Sequence, residues 1–319
     1  MTSVLRIHGL TVDVGGLRIV DGLDLDLRKG ERVALVGESG SGKSMTARAL
    51  LRLDPSVSVG GSVLFQGKEL IGLPEKEVRK VRGSQIAMVF QDPTTALNPL
   101  QRIGEQVAEP LRLRGVGRRS AMKQAAEMLD RLGVPRAAER LGAYPHEFSG
   151  GMKQRVMLAA ALITRPKVLI ADEPTTALDV RVQEQVLTLI EQLAAEEGIA
   201  VLLITHDLGI VAGFADRVAV MYAGRKVEEN SVDAFFAGPS HPYGKGLLAS
   251  VPRVDRALTE RLDTVPGVPA KPSARPAGCA FHPRCAAAID RCRTDAPVLL
   301  TIGTGQAACH LIEEGALRC

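Results

Sequence analysis

Apolar residues along this chain fall into two rhythms. Short continuous aliphatic and β-branched runs alternate with stretches in which apolar side chains recur every three or four positions. Arg32–Val36 (RVALV) reads as a buried strand, and Ser44–Leu53 (SMTARALLRL) as the helix that follows it. Lys167–Asp172 (KVLIAD) and Ala200–Thr205 (AVLLIT) read as further buried strands, separated by the helical pattern of Arg181–Glu197. Strand, helix, strand with apolar residues on both strand faces predicts an α/β fold around a mostly parallel, doubly covered sheet.

From about Asp92 to Thr164 the pattern is helical. In Ser120–Val134, Met122, Ala125, Ala126, Leu129 and Leu132 share one face, and Gly133 is placed to end the helix. Proline and glycine become frequent near Gly238 and again in Val265–Gly278 (VPGVPAKPSARPAG). This change of composition sets a boundary, with one domain over 1–237 and a small C-terminal extension over 238–319.

The net charge of +4 over 319 residues is modest, and no long basic run occurs, which argues against nucleic acid as a partner. The pair Arg118–Arg119 reads as part of a solvated loop. The first residues lack a basic and then apolar leader pattern, and the longest apolar run, Val156–Ile163, is too short to span a bilayer. The expectation is a cytosolic chain, held at a membrane only through a partner.

Gly37–Ser44 (GESGSGKS) fits G-x-x-x-x-G-K-[ST] between a predicted strand and a predicted helix. Glycines let backbone N–H groups turn toward a phosphate, and the helix N-terminus adds a favourable dipole. Gly37, Ser39, Gly40, Ser41, Gly42, Lys43, Ser44 and Met45 are the candidate contacts to ATP, with Lys43 reaching the terminal phosphates and Ser44 a Mg²⁺ ligand. Val168–Pro174 (VLIADEP) ends an apolar strand in two acids. Asp172 suits the Mg²⁺ shell, and Glu173 stands where a carboxylate can orient or deprotonate water. Phe148–Arg155 (FSGGMKQR) is a second anion site at a helix start, carried by Ser149, Gly150 and Gly151. One nucleotide has one terminal phosphate, so this second site makes sense facing a nucleotide held by another subunit; an ordinary serine-capped helix is the alternative.

These motifs, in this order, resemble the ATP-binding-cassette family over about residues 4–235. Gln91–Pro93 (QDP), Thr176–Asp179 (TALD) and Thr205–Asp207 (THD) resemble its remaining loops. The resemblance implies a P-loop nucleotide-binding domain with a mostly parallel core, an antiparallel β subdomain and a helical subdomain at about 92–164. It also implies that Gln91 touches Mg²⁺ and senses a membrane partner, that His206 contacts the γ-phosphate, and that Asp179 communicates across a dimer. Phe148 and Met152 depart from the commonest signature residues. Val14 stands where the family usually places an adenine-stacking aromatic. Phe90–Pro99, Tyr144–Val180 and His241–Pro252 are similar to ATPase subunits of bacterial dipeptide, oligopeptide and nickel importers.

That likeness implies ATP-driven peptide import across the bacterial inner membrane, from its cytoplasmic face. It implies a second, often non-identical ATPase subunit, two transmembrane permease subunits and an extracytoplasmic solute-binding protein as partners. Asp92–Pro99 would be a proline-bracketed loop that meets a permease. The competing readings are import of nickel or another small solute, a cassette ATPase working outside transport, and a regulatory cassette without turnover. The chain lacks the long insertions of the second, and Glu173 and His206 argue against the third.

Cys279, Cys285, Cys292 and Cys309 are spaced by five, six and sixteen residues, with Cys319 spare at the end and His282 and His310 as weaker candidate ligands. A reducing compartment disfavours disulfides. The spacing is wider than that of common zinc modules and matches no usual ferredoxin run. Spacing therefore leaves Zn²⁺, a [4Fe–4S] cluster and unligated buried thiols open. The family resemblance implies the [4Fe–4S] cluster, in a structural or sensory role.

Overall fold

The computed structural model describes residues 3–176, 178–251 and 264–315. Cys319, Pro252 and Ala177 lie outside these. The described residues form two compact units, one from residues 3–4, 27–31, 72–176 and 178–203, the other from 5–26, 32–71, 204–251 and 264–315.

In the first unit, strands Ile86–Val89 and Val168–Asp172 pair in parallel, from Ile86 opposite Val168 to Val89 opposite Ala171. Strand Ala200–Thr205 flanks Val168–Asp172 on its other side. Every residue of these last two strands is buried, as continuous apolar runs require. Between Val89 and Val168 the described regular elements are helices. Arg118–Arg131 buries Ala121, Ala125, Met128 and Leu129, so the predicted face is nearly the observed one. Gly133 ends it at φ 70°, and Val134 N–H bonds the Leu129 carbonyl at 2.9 Å. The segment Asp92–Pro99 departs from expectation. Pro93 opens a short helix, Pro93–Ala96, at a position where its missing N–H costs nothing, and Leu97 is buried beside it.

In the second unit, strand Arg32–Val36 runs parallel to Arg217–Tyr222. Arg225–Ser231 pairs antiparallel with the latter, and Gly305–Ala307 and Leu300–Ile302 continue the antiparallel edge. A separate antiparallel sheet orders Leu17–Arg28, Ser3–Val14, Val57–Phe65 and Lys68–Glu69. Its long first strand buries Leu5 and Ile7, then Leu10 and Val12. The change of parity is absorbed by a bulge between His8 and Thr11, where Gly9 takes φ 56°.

The C-terminal extension is short of large apolar side chains, and it shares the core of this unit. Phe281 packs edge-on against Tyr222 at 5.3 Å, and Tyr222 against Tyr243 at 4.7 Å. Phe235 and Tyr243 are wholly buried in the same cluster as Val218 and Val220. Pro242 starts helix Pro242–Ala249, and His241 Nδ1 accepts the Tyr243 N–H at 3.0 Å.

Glu228 is wholly buried and accepts the N–H groups of Ser240 at 2.6 Å and His241 at 3.0 Å. Burial raises its carboxyl to about 7, against those two donors, and burial lowers His241 to about 4. The folded chain therefore keeps a proton on Glu228 that the unfolded chain releases from 4.5 upward. That contribution is complete below the unfolded value and is lost as pH rises through the folded one. Glu228→Gln removes the titration and keeps a carbonyl oxygen for one of the two N–H groups, which in the wild type go separately to Oε1 and Oε2. Relative to wild type it gains on the order of 1–3 kcal/mol as pH rises through this window. Urea unfolding at a series of pH values checks it, with a pH-independent difference as the contrary result.

Candidate functional site

The turn after strand Arg32–Val36 leads into helix Lys43–Leu50 with no side chain capping its start. Two glycines let it form. A Cβ on Gly37 would lie 2.2 Å from the Met221 carbonyl oxygen, and Gly42 has φ 106° with Met221 Cε at 2.9 Å from a Cβ position. Lys43 is buried, and its ammonium donates to the carbonyls of Gly37 at 2.7 Å and Glu38 at 3.0 Å. Ser39 and Gly40 form the exposed crest, and Ser44 and Met45 are half-buried in the first helical turn. The Ser41 hydroxyl is buried without a hydrogen-bond partner, a donor that an anion in the turn would satisfy.

His206 is exposed on the turn after strand Ala200–Thr205. Thr205 Oγ1 accepts the Asp207 N–H at 3.0 Å and Asp207 Oδ1 that of Gly209 at 2.8 Å, which fixes the turn. Val14 is 37% exposed, an apolar surface without a ring.

In the first unit, Asp172 is buried at the end of its strand. Glu173 follows in the left-handed region, φ 46°, a conformation costing a non-glycine residue about 1–2 kcal/mol. It turns the carboxylate toward Gln91. Gln91 Nε2 and Thr176 Oγ1 each donate to Glu173 Oε2 at 2.9 Å. Two predicted residues, Gln91 and Glu173, are thus brought into contact, and Thr176 joins them from the Thr176–Asp179 motif.

Ser149 caps helix Gly150–Leu162 by accepting the Met152 N–H at 3.4 Å. Asp179 caps helix Val180–Glu197 through the Val182 N–H at 3.0 Å. Both caps open on one groove of about 480 Å³ lined by Ser149, Gly150, Gly151, Leu178, Asp179 and Val182. A Cβ on Gly151 would meet Val182 Cγ1 at 2.6 Å, whereas one on Gly150 meets nothing.

Cys279, Cys285, Cys292 and Cys309 all line a single cavity in the second unit, with His241, His282 and His310 at its wall. All four are free thiols. Burial raises Cys279 to about 11, with the other three cysteines adding to it, and burial also raises Cys285 and Cys309. The histidines are committed elsewhere. His310 binds Glu313 through Nδ1 and the Asp295 carbonyl through Nε2, and His282 Nδ1 meets the Cys279 carbonyl at 2.9 Å. Among the described residues no group of three or more His, Cys, Asp and Glu is arranged to hold a metal ion.

Glu38, Tyr243 and Arg284 carry no motif signal as a set, yet they meet at the glycine-rich turn. Tyr243 Oη accepts the Glu38 N–H at 2.8 Å, and Arg284 reaches the Glu38 carboxylate with both terminal nitrogens. Arg284 comes from 246 positions away, and only the fold brings it there.

The glycine-rich turn, the acids after a buried strand and the serine-capped signature helix define an ATP-binding cassette. The "ABC transporter" family profile matches residues 20–176, and "Oligopeptide/dipeptide transporter, C-terminal region" matches 227–292. The oligopeptide transport ATP-binding protein OppD of Haemophilus influenzae is 50% identical over 92% of this chain and 90% of its own length. OppD of Salmonella typhimurium is 50% identical over 92% and 88%. Among solved structures, cbiO1 from Clostridium perfringens, part of the ABC transporter complex cbiONQ, aligns with TM-score 0.66 at 29% identity, covering 74% of this chain and 92% of cbiO1. The ATP-binding cassette MJ0796, solved as a dimer with ADP and phosphate, aligns with TM-score 0.64 at 29% identity, covering 72% and 98%. This chain belongs to the oligopeptide-transport ATP-binding proteins of the ABC transporter family.

The two signature glycines should respond oppositely to alanine. Gly151→Ala forces Val182 aside and should cost about 1–3 kcal/mol. Gly150→Ala has open space in a first helical turn and should be neutral or stabilising by up to about 1 kcal/mol. Denaturant unfolding of the two variants checks the contrast.

Proposed function

We propose that this chain is the ATP-hydrolysing subunit that powers import of oligopeptides or dipeptides across the bacterial inner membrane. The observation carrying this is the 50% identity to OppD proteins over 92% of the chain, a span that reaches into the C-terminal extension as well as the cassette. Membership of the family implies ATP and Mg²⁺, a membrane permease and a binding protein. No helix among the described residues is long and apolar enough to cross a membrane, so translocation falls to those partners. We place the chain on the cytoplasmic face, beside a second ATPase subunit, often non-identical, and two permease subunits.

In this reading Gly37–Ser44 and Met45 cradle the nucleotide. The unpartnered Ser41 hydroxyl and the glycines that exclude side chains from the turn support it. Lys43 would leave its two carbonyls for the terminal phosphates, and Ser44, Gln91 and Asp172 would serve Mg²⁺. Glu173 would orient and deprotonate the attacking water. Two donors on one of its oxygens, from Gln91 and Thr176, hold the carboxylate in place for this role. His206 would contact the γ-phosphate. Ser149, Gly150, Gly151 and Asp179 would close over the nucleotide of the partner subunit, a role consistent with their shared open groove. Glu173→Gln in the assembled transporter should retain ATP binding and lose turnover by about 100-fold or more. Paired measurement of nucleotide affinity and phosphate release tests this, and normal turnover would remove Glu173 from the role.

We further propose that Cys279, Cys285, Cys292 and Cys309 hold a [4Fe–4S] cluster. Support comes from four thiols on one cavity wall, with the neighbouring histidines engaged by other groups. Zinc, four-coordinate on the same thiols, is the alternative occupant. Such a cluster would supply cross-links to an extension poor in apolar side chains. Anaerobically purified protein should absorb near ~400 nm and carry about four irons per chain. Cys285→Ser should lower both, while colourless protein with one zinc per chain would reverse the assignment.

A further inference from the structure

Glu38 is the acid of the glycine-rich turn, and every polar group it owns is engaged. Its carbonyl accepts from Lys43 Nζ at 3.0 Å and from the Ser41 N–H at 3.2 Å. Its N–H goes to Tyr243 Oη at 2.8 Å. Its carboxylate takes a two-pronged ion pair from Arg284, Nη1 to Oε2 at 2.6 Å and Nη2 to Oε1 at 2.9 Å. The Arg284 side chain is 3% exposed and that of Glu38 25%. Arg284 is held rigidly by its own surroundings. Nε donates to the Pro266 carbonyl at 2.6 Å and Nη2 also to that of Val265 at 3.2 Å, while the guanidinium lies 5.8 Å from the Tyr222 ring and 5.9 Å from the Phe281 ring.

A carboxylate in a turn shaped for phosphates opposes their binding. Each added negative charge at contact range, in a partly desolvated site, raises the cost of a polyanion by an amount comparable to a whole hydrogen bond. A fixed, bidentate guanidinium on that carboxylate cancels most of its field. We propose that Arg284, supplied by the C-terminal extension, is a positioning and charge-compensating residue for the nucleotide turn, holding Glu38 and neutralising it so that the turn accepts a polyphosphate. This rests on the reading of Gly37–Ser44 as the nucleotide site. The adjacent residue, Cys285, lines the thiol cavity, so one cavity cysteine and the compensating arginine are neighbours in the chain.

The test is equilibrium binding of a fluorescent ATP analogue with Mg²⁺ to the full chain, with thermal unfolding recorded alongside. Arg284→Gln should weaken binding roughly tenfold, because Glu38 is then left uncompensated beside the phosphates. The deficit should shrink as salt is raised, since screening acts on charge and not on packing. Adding Glu38→Gln to Arg284→Gln should bring affinity back to within roughly threefold of wild type. Unchanged binding by Arg284→Gln overturns the proposal, and so does a double variant as weak as the single one. If Arg284→Gln does not fold, Glu38→Gln alone decides. Affinity at or above wild type supports charge compensation, and weaker binding overturns it. Lys43→Ala separates the two readings: its loss of binding supports the nucleotide site independently of Arg284, and full retention would overturn that site.

Discussion

The glycine-rich turn depends on a backbone approach too close for any side chain. Gly37 and Gly42 lie against Met221 on strand Arg217–Tyr222, where a Cβ would meet atoms at 2.2 and 2.9 Å. Side chains of a strand alternate between faces, so the next residue looks the other way. Met221 closes on the turn, and Tyr222 enters the aromatic cluster with Tyr243 and Phe281. One dipeptide thereby couples the geometry of the turn to the packing of the C-terminal extension. Tyr243 and Arg284 return from that packing to Glu38, which completes a closed circuit of contacts.

The first unit achieves its arrangement by local means. Ser149 and Asp179 each cap a helix, and the caps aim two backbone N–H clusters into a common groove. Glu173 stands in a strained conformation that a buried strand and the Gln91 and Thr176 hydrogen bonds maintain.

Features written in contiguous residues were legible beforehand. The strands at Arg32–Val36 and Ala200–Thr205 match their apolar runs to the residue, and the glycine, acid and signature motifs sit at the predicted strand and helix ends. Features that depend on distant pairing were not. The strand Ser3–Val14 escaped because its alternation breaks at Gly9, where a bulge restores the inward face. Asp92–Pro99 reads as a proline-bracketed loop within a helical region, whereas Pro93 begins a short helix there. The composition change at Gly238 marks a real shift in the sequence, but it does not reveal that Phe281 will join Val218 and Val220 in one core. Nothing local to Arg284 points to a partner 246 positions earlier.

The Glu38–Arg284 pair has a consequence for how such chains vary. A cassette ending at Ala237 would retain every nucleotide motif and discard Tyr243 and Arg284, which hold the Glu38 N–H and carboxylate. Under the proposed compensation, the two positions are expected to change together among relatives, and a tail transplanted between them would bring an electrostatic requirement on the loop it faces.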